Sequence, residues 1–233
     1  MLITIIIPTF NEIEKGFLAT ILENLKGLND CEVICVDSQS NDGTCQLIEK
    51  HQAKLLTCLT DSRGDRLNQG IEQAKGEIIF LHHPRSIIDT KVFREIQNFK
   101  NPKVWGALTH SFDKNHYLLN LTSWYSNEVR GKINGIYYLD HCLFFHKDLL
   151  PRKNPIPKVP IFEDTLICQK LLQSGHPLLL PYTSKTSAIR FEKNGIWRQV
   201  VLNLLLKLAF HFNIDYQTMN RLYEKGLSLN SKY

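Results

Sequence analysis

The chain has 233 residues, 43% of them hydrophobic, enough to bury a sizeable core and cramped for two independent domains. Its six cysteines form no C-x-x-C pair and no regular Cys/His ligand spacing, which argues against a disulfide framework or a zinc site and for reduced thiols. The formal charge of +5 is uneven: residues 1–146 carry 15 Lys/Arg against 17 Asp/Glu, and residues 147–233 carry 13 against 6. The basic part is the one expected to meet phosphates or an anionic membrane surface, with a plain solvated face as the alternative; no nucleic-acid partner is expected.

The opening run is apolar, lacks a basic leader and is broken at Pro8, so it predicts a strand and not a signal peptide, and a protein that starts in the cytoplasm. Four β-branched or aliphatic runs follow one another, Thr4 to Ile7, Glu32 to Val36, Lys54 to Thr57 and Glu77 to Leu81. Helical spacing separates them: Ile13, Phe17, Leu18, Ile21, Leu22 and Leu25 mark one face, and Leu67, Ile71 and Ala74 another, with Gly76 as its C-terminal stop. Between the second and third runs, Ser40 to Gly43 is a turn into a helix over Thr44 to Lys50, with Asp42 or Thr44 as cap. This alternation predicts an α/β fold with a doubly wound, mostly parallel sheet, helices on both faces and ligand outside the strand C-termini.

Beyond residue 100 the pattern predicts a helix over Asn120 to Val129, strand structure within Gly135 to Phe145 and a proline-rich basic loop over Lys147 to Pro160. A helix over Phe162 to Ser174 opens on Glu163-Asp164-Thr165, and a final helix spans Ile196 to Phe212. That last helix is too interrupted by polar groups for a clean membrane span. Trp124, Trp197 and Tyr223 are expected in aromatic core packing, with sugar stacking the alternative.

The chemistry concentrates at two strand ends, Ile7-Pro8-Thr9-Phe10-Asn11-Glu12 and Val36-Asp37 through Thr44. A carboxylate such as Asp37 at a buried strand end accepts from an imide N–H or a ribose hydroxyl, whereas Asp42 reads as a turn cap. These segments resemble the first two motifs of the inverting family 2 glycosyltransferases of GT-A type. Ser62 to Gly70 looks like that family's arginine-bearing helix start, and Gly76 to His82 like its fourth strand. More narrowly, the chain is similar to a bacterial subgroup with F-L-H-A-D-T at the fourth strand end, an E-D helix and an S-A-R-R-W-like segment. Here those read Phe80-Leu-His-His-Pro-Arg85, Glu163-Asp164 and Ser187-Ala-Ile-Arg-Phe191.

The resemblance implies a single GT-A domain over 1–233, with 1–100 as nucleotide half, 101–195 as acceptor half and 196–233 as C-terminal helices. It implies that Pro8, Thr9, Asn11, Glu12, Asp37, Arg63, His82 and His83 serve the nucleotide. Asp164, beside Glu163, is implied to be the general base, and Arg85, Asp140 and Arg190 to face the diphosphate or acceptor. Read from the residues alone, Glu163 and Asp164 equally suit the ordinary preference for acids in a first helical turn.

One departure stands at the fourth strand. The family places Asp-x-Asp there to hold Mg²⁺ or Mn²⁺ against the diphosphate, and this chain has His82-His83-Pro84. Adjacent extended residues point to opposite faces, so the two imidazoles do not readily share one ion. Three explanations stand open: a metal held by His82 or His83, metal-free catalysis with Arg63, Arg85 or Arg190 against the diphosphate, or lost activity. The expected function is transfer of a sugar, with inversion, from a nucleotide-diphosphate sugar to an unidentified acceptor. A lipid-linked acceptor and peripheral contact with the inner face of the membrane suit the basic half. The rival is a nucleotide-sugar-binding relative acting as a binding or scaffold module, and a sugar-phosphate nucleotidyltransferase is a distant third.

Overall fold

The run Ile3–Thr9 forms strand β1, every residue buried, because a central parallel strand is covered on both faces and is apolar throughout instead of alternating. It lies between β2 (Cys31–Asp37) and β4 (Ile78–Leu81), with β3 (Lys54–Thr57) outside β2, all parallel. Helices α1 (Leu18–Leu25), α2 (Thr44–Lys50) and α3 (Arg63–Glu72) make the crossovers. The computed structural model describes residues 1–101, 103–225, 227 and 229.

After β4 the chain runs through β5 (Ser86–Ile88), α4 (Lys91–Gln97), β6 (Trp105–Phe112), α5 (Tyr117–Trp124), β7 (Leu143–His146), α6 (Glu163–Leu171) and β8 (Leu178–Thr186). It ends in α7 (Ile189–Asn194), α8 (Ile196–His211) and α9 (Tyr216–Glu224). The strands form one sheet in the order β3-β2-β1-β4-β7-β6-β8-β5, with β7 antiparallel to both neighbours and β8 parallel to β6. Alternate residues of β1 feed opposite layers: Ile5 and Ile7 pack with Leu18, Leu22 and Phe93, while Ile6 packs with Leu67, Ile71 and Ile167. Helices therefore cover both faces, as the alternating pattern predicts.

Several local expectations need correction. Helix α1 starts at Leu18, not near Ile13, because Gly16 turns the chain at φ 76° and leaves Ile13 exposed. Gly76 is no helix stop, since α3 ends at Glu72; it is a close-approach glycine, and a Cβ there would lie 2.5 Å from the Thr4 backbone nitrogen. The helix expected over Asn120 to Val129 divides at Trp124, where α5 continues as a π-helical segment, Tyr125–Ile133. Of Gly135 to Phe145, only the end pairs in β7, and Leu139–His141 is a 3₁₀ turn. Trp124 and Trp197 are exposed, so neither belongs to an aromatic core.

Candidate functional site

Thr9 and Asp37 are register partners at the ends of β1 and β2, so the Thr9 hydroxyl donates to Asp37 Oδ2 at 2.8 Å. Asp37 also accepts from the Ser40 amide at 2.7 Å and the Ser40 hydroxyl at 2.6 Å. The carboxylate thereby organises the turn that follows its own strand, and a ligand donor arriving here competes with the Ser40 hydroxyl. Asn11, at φ 48°, donates its amide to Ser40 Oγ and accepts from the Asn41 amide, which stitches the two strand-end loops together. Asp42 accepts from the amides of Ile13 and Thr44, the capping role expected of it.

Behind these loops lies a concentration of buried cations. Glu12 is held by Lys15 at 3.0 Å and lies 3.5 Å from Arg85 Nε. Arg66, on α3, donates to the Thr9 carbonyl at 2.9 Å. Burial, then repulsion from Arg85, pushes the Lys15 ammonium down to about 8, and burial, then Arg63, lowers Arg66 to about 10. Burial lowers Arg85 as well. Arg63, Arg66 and Arg85 thus bring positive charge to a small recess of about 10 Å³ shared with Glu12, Pro8, Phe10, His83 and Leu229, and Lys15 lies beside it on Glu12. The backbone carbonyl of Leu229 accepts from Lys15 at 3.0 Å and from Arg85 at 3.3 Å, a neutral oxygen beside the Glu12 carboxylate that both cations also face.

Arg63 joins this recess to a second, larger cavity of about 430 Å³ lined in part by His83, Arg85, Asp140, Asp164 and Arg190. Its guanidinium binds Glu163 through Nε and reaches Asp164 Oδ2 at 3.4 Å. Burial disfavours the Arg63 charge, yet Glu163 and Asp164 outweigh it and hold the pKa above the ordinary arginine value. Asp164 begins α6 with Glu163, follows Phe162 at φ 66°, and accepts from the Leu139 amide at 3.2 Å and the Thr165 amide at 2.9 Å. A bulky residue in the left-handed region costs about 1–3 kcal/mol and persists only where packing enforces it, here against Phe210 and Tyr138. Burial pushes the Asp164 carboxyl up to about 6, against the opposing pull of Arg63. A carboxylate with that pKa, open to a cavity, is suited to take a proton near neutrality.

The other expected residues divide. Asp140 lines the cavity, with His110 Nε2 at 3.7 Å and His141 Nε2 at 4.0 Å. Burial raises its pKa and the surrounding His110, His141 and Arg130 lower it more, so it stays ionised. Arg190 lies over the Tyr223 ring at 3.8 Å and donates to Glu224 at 2.7 Å. His83 lines both cavities, whereas His82 is turned under the strand end, its Nδ1 2.8 Å from the His83 carbonyl, and lines neither. Glu163 is almost wholly buried beneath Asp164. Arg66 and Leu229 line the recess, Lys15 lies beside it on Glu12, and Lys207 lines the larger cavity; none of the four was expected there. The signal for the first two was spacing: Lys15 lies three residues after Glu12, and Arg66 one helical turn after Arg63.

The donor set at the β4 end does not fit a hard divalent cation. The strand end itself supplies one inward imidazole, His83, and no acid of its own, and burial with the charges of Arg85 and Arg63 outweighs the pull of Asp140 and holds the His83 pKa well below its usual value. Among the described residues no group of three His, Cys, Asp or Glu converges on one point.

With this geometry in view, the chain resembles solved structures by fold. The structure of S. aureus TarS 1–349 in complex with UDP-GlcNAc matches with TM-score 0.60 and 19% identity, covering 80% of this chain and 59% of that one. Glucosyl-3-phosphoglycerate synthase from Mycobacterium tuberculosis, in complex with Mn²⁺, UDP and glucosyl-3-phosphoglycerate, matches with TM-score 0.57 and 16% identity, covering 88% of this chain and 78% of that one. The mannosyltransferase PcManGT from Pyrobaculum calidifontis, in complex with GDP-Man and Mn²⁺, gives TM-score 0.56 and 21% identity over 80% of this chain and 55% of that one. This chain therefore spans little more than half the length of two of these three. No match was found among curated protein sequences. The family model for glycosyl transferase family 2 matches residues 4–150. The chain belongs to glycosyl transferase family 2, with the mostly parallel α/β sheet of the GT-A glycosyltransferases.

Proposed function

We propose that the protein transfers a sugar from a nucleotide-diphosphate sugar to an acceptor hydroxyl with inversion, using guanidinium and ammonium groups in place of a divalent metal. The acceptor hydroxyl gives its proton to Asp164, its oxygen attacks the anomeric carbon, and the bond to the diphosphate oxygen breaks on the opposite side. The nucleoside diphosphate leaves with the bonding electrons. Pro8, Thr9, Asp37 and the strand-end loops serve the nucleoside, and Lys15, Arg63, Arg66 and Arg85 meet the leaving charge. This chemistry suits a cytoplasmic location, where nucleotide sugars are at hand.

The observation that carries the reading is Arg63, which touches the Glu163-Asp164 pair and also lines the cationic recess. One side chain thus couples the base to the position of the leaving group. The TarS, mannosyltransferase and glucosyl-3-phosphoglycerate synthase structures hold UDP or GDP ligands, which supports a nucleotide sugar as donor. Titration calorimetry with UDP, GDP and their sugar conjugates, in EDTA and then with Mn²⁺, tests it. Binding of a nucleotide sugar in EDTA is expected; strict dependence on Mn²⁺ would contradict the metal-free reading, and absence of any binding would contradict the donor.

A further inference from the structure

Helix α8 presents an apolar stripe to the outside. Trp197, Val201, Leu204, Leu205, Leu208 and Phe212 fall on one stripe at helical spacing and are between 51% and 71% exposed. The opposite side buries Gln199 completely, bonded to Asn194 at 2.6 Å and Asn203 at 2.7 Å. The same inner side packs Leu206, Leu202 and Phe210 against Ile161, Phe162 and Met219, so α8 is apolar on both sides, and its exposed stripe suits an apolar medium outside the protein. Helix α5 extends the same surface: Tyr117, Leu121 and Trp124 are exposed, and the Tyr117 and Trp197 rings meet edge-on with centroids 6.2 Å apart. Among the described residues no helix is long and apolar enough to cross a membrane, which leaves contact from one side.

This surface opens into the cavity that holds Asp164. Leu121, Trp124, Tyr125 and Leu204 are exposed and also line the cavity, and Phe112, Ile161 and Phe191 carry the apolar wall inward. On that wall Lys207 has no ion-pair or hydrogen-bond partner among the described residues; its ammonium lies 4.8 Å from the centre of the Tyr125 ring. Burial, then repulsion from Arg130, pushes this lysine down to about 8 against the pull of Asp140, so it stays mostly charged near neutrality. The segment 196–212 contains no Asp or Glu, and Arg198 is exposed on it.

Resting on the sugar-transfer reading, we infer that the outer faces of α5 and α8 seat the protein on an anionic membrane, and that the cavity beneath admits the apolar chain of a lipid-borne acceptor. The chain enters between α5 and α8, an anionic headgroup pairs with Lys207, and the acceptor hydroxyl is led to Asp164. A second copy of this protein fits the surface less well: it would bring like charge, Arg198 of α8, into an apolar interface and cap the cavity mouth.

Co-sedimentation of the protein with phosphatidylcholine vesicles, with and without phosphatidylglycerol, tests this, with Trp fluorescence as a second readout. The expected result is salt-sensitive binding to the anionic vesicles with a blue shift. The double variant Leu205→Glu, Leu208→Glu, both outside the cavity, should lose at least tenfold in vesicle binding while nucleotide binding is unchanged. Lys207→Ala should lower transfer to a phosphate-bearing long-chain acceptor at least tenfold. Failure to bind either vesicle, or a dimer in light scattering that the double variant dissociates, overturns the inference and makes the face an interface between copies. Vesicle binding without any nucleotide-sugar binding would overturn the acceptor half and sugar transfer together, leaving the membrane seat. Nucleotide-sugar hydrolysis without vesicle binding would overturn this inference alone.

Discussion

Arg63 Nη2 lies 3.4 Å from Asp164 Oδ2, so the first residue of α3 holds the carboxylate that opens α6, a hundred positions along the chain. The charge of Arg63 lowers the Asp164 pKa from where burial alone would set it. Donor hydrolysis or transfer should therefore rise with pH through a midpoint near 6 and stand at about a tenth of its plateau near pH 5, because the protonated acid cannot accept. In Arg63→Ala the midpoint should move to higher pH by about one pH unit, and nucleoside diphosphate affinity should fall about tenfold. A pH–rate profile of both proteins checks this; an unmoved midpoint would mean that the arginine does not act on the base.

The buried histidines give stability a pH dependence. Burial pushes His82 down to about 4 and His141 down to about 3, while both take up a proton near 6.5 when unfolded. The unfolded state then binds more protons below pH 6.5, so this stability is present above 6.5 and is lost as pH falls toward the folded values. The slope is about 1.4 kcal/mol per pH unit for each histidine. Asp164 acts in the opposite sense between 3.8 and about 6, offsetting one of them, but His83 and His110 are lowered too. Urea unfolding from pH 7.5 to 5 should show falling stability, and His82→Gln should flatten the slope by one histidine's share.

Gly76 carries a packing constraint that its position in sequence disguised. A Cβ at this residue would meet the Thr4 amide at 2.5 Å and the Ile3 carbonyl carbon at 2.9 Å, both backbone of the central strand. Gly76→Ala should cost about 2 kcal/mol or more, read as a lowered urea midpoint with unchanged slope. Wild-type stability in the variant would contradict the close approach.

Leu229 supplies a neutral carbonyl to Lys15 and Arg85 in the recess proposed for the diphosphate. Its amide is anchored to Glu224 at 2.7 Å. A chain ending at Lys225 should bind nucleoside diphosphate about tenfold more tightly, since the cations no longer bond to that carbonyl. Weaker binding by calorimetry would instead make Leu229 part of the nucleotide's cradle.

The fold of the first 100 residues was legible because its signals are local: Ile3–Thr9 and Ile34 to Asp37 are runs that only a doubly covered strand requires, and the turn residues between them mark each crossover. The second half was not, for physical reasons that differ by element. Strand β8, Leu178–Thr186, lies at the sheet's far side with several exposed residues, so it lacks both a continuous apolar run and clean alternation. The π-helical segment after Trp124 has no sequence period of its own. Asp164 was singled out through the resemblance, since an acid pair opening a helix is ordinary by itself, and its contact with Arg63 could not be derived because the ion pair joins elements far apart in sequence. The outward leucines of α8 were visible as an apolar helix; only the fold reveals that Gln199 and Asn203 face inward.

The account's central claim is tested most directly by nucleotide-sugar hydrolysis in EDTA, comparing the protein with Asp164→Asn while donor binding is followed by calorimetry. The prediction is measurable hydrolysis without metal, at least 100-fold slower in Asp164→Asn, with donor affinity changed less than about threefold. Equal hydrolysis by the two proteins, or binding without turnover in both, would contradict Asp164 as the base, and the second result would make the protein a nucleotide-sugar-binding module.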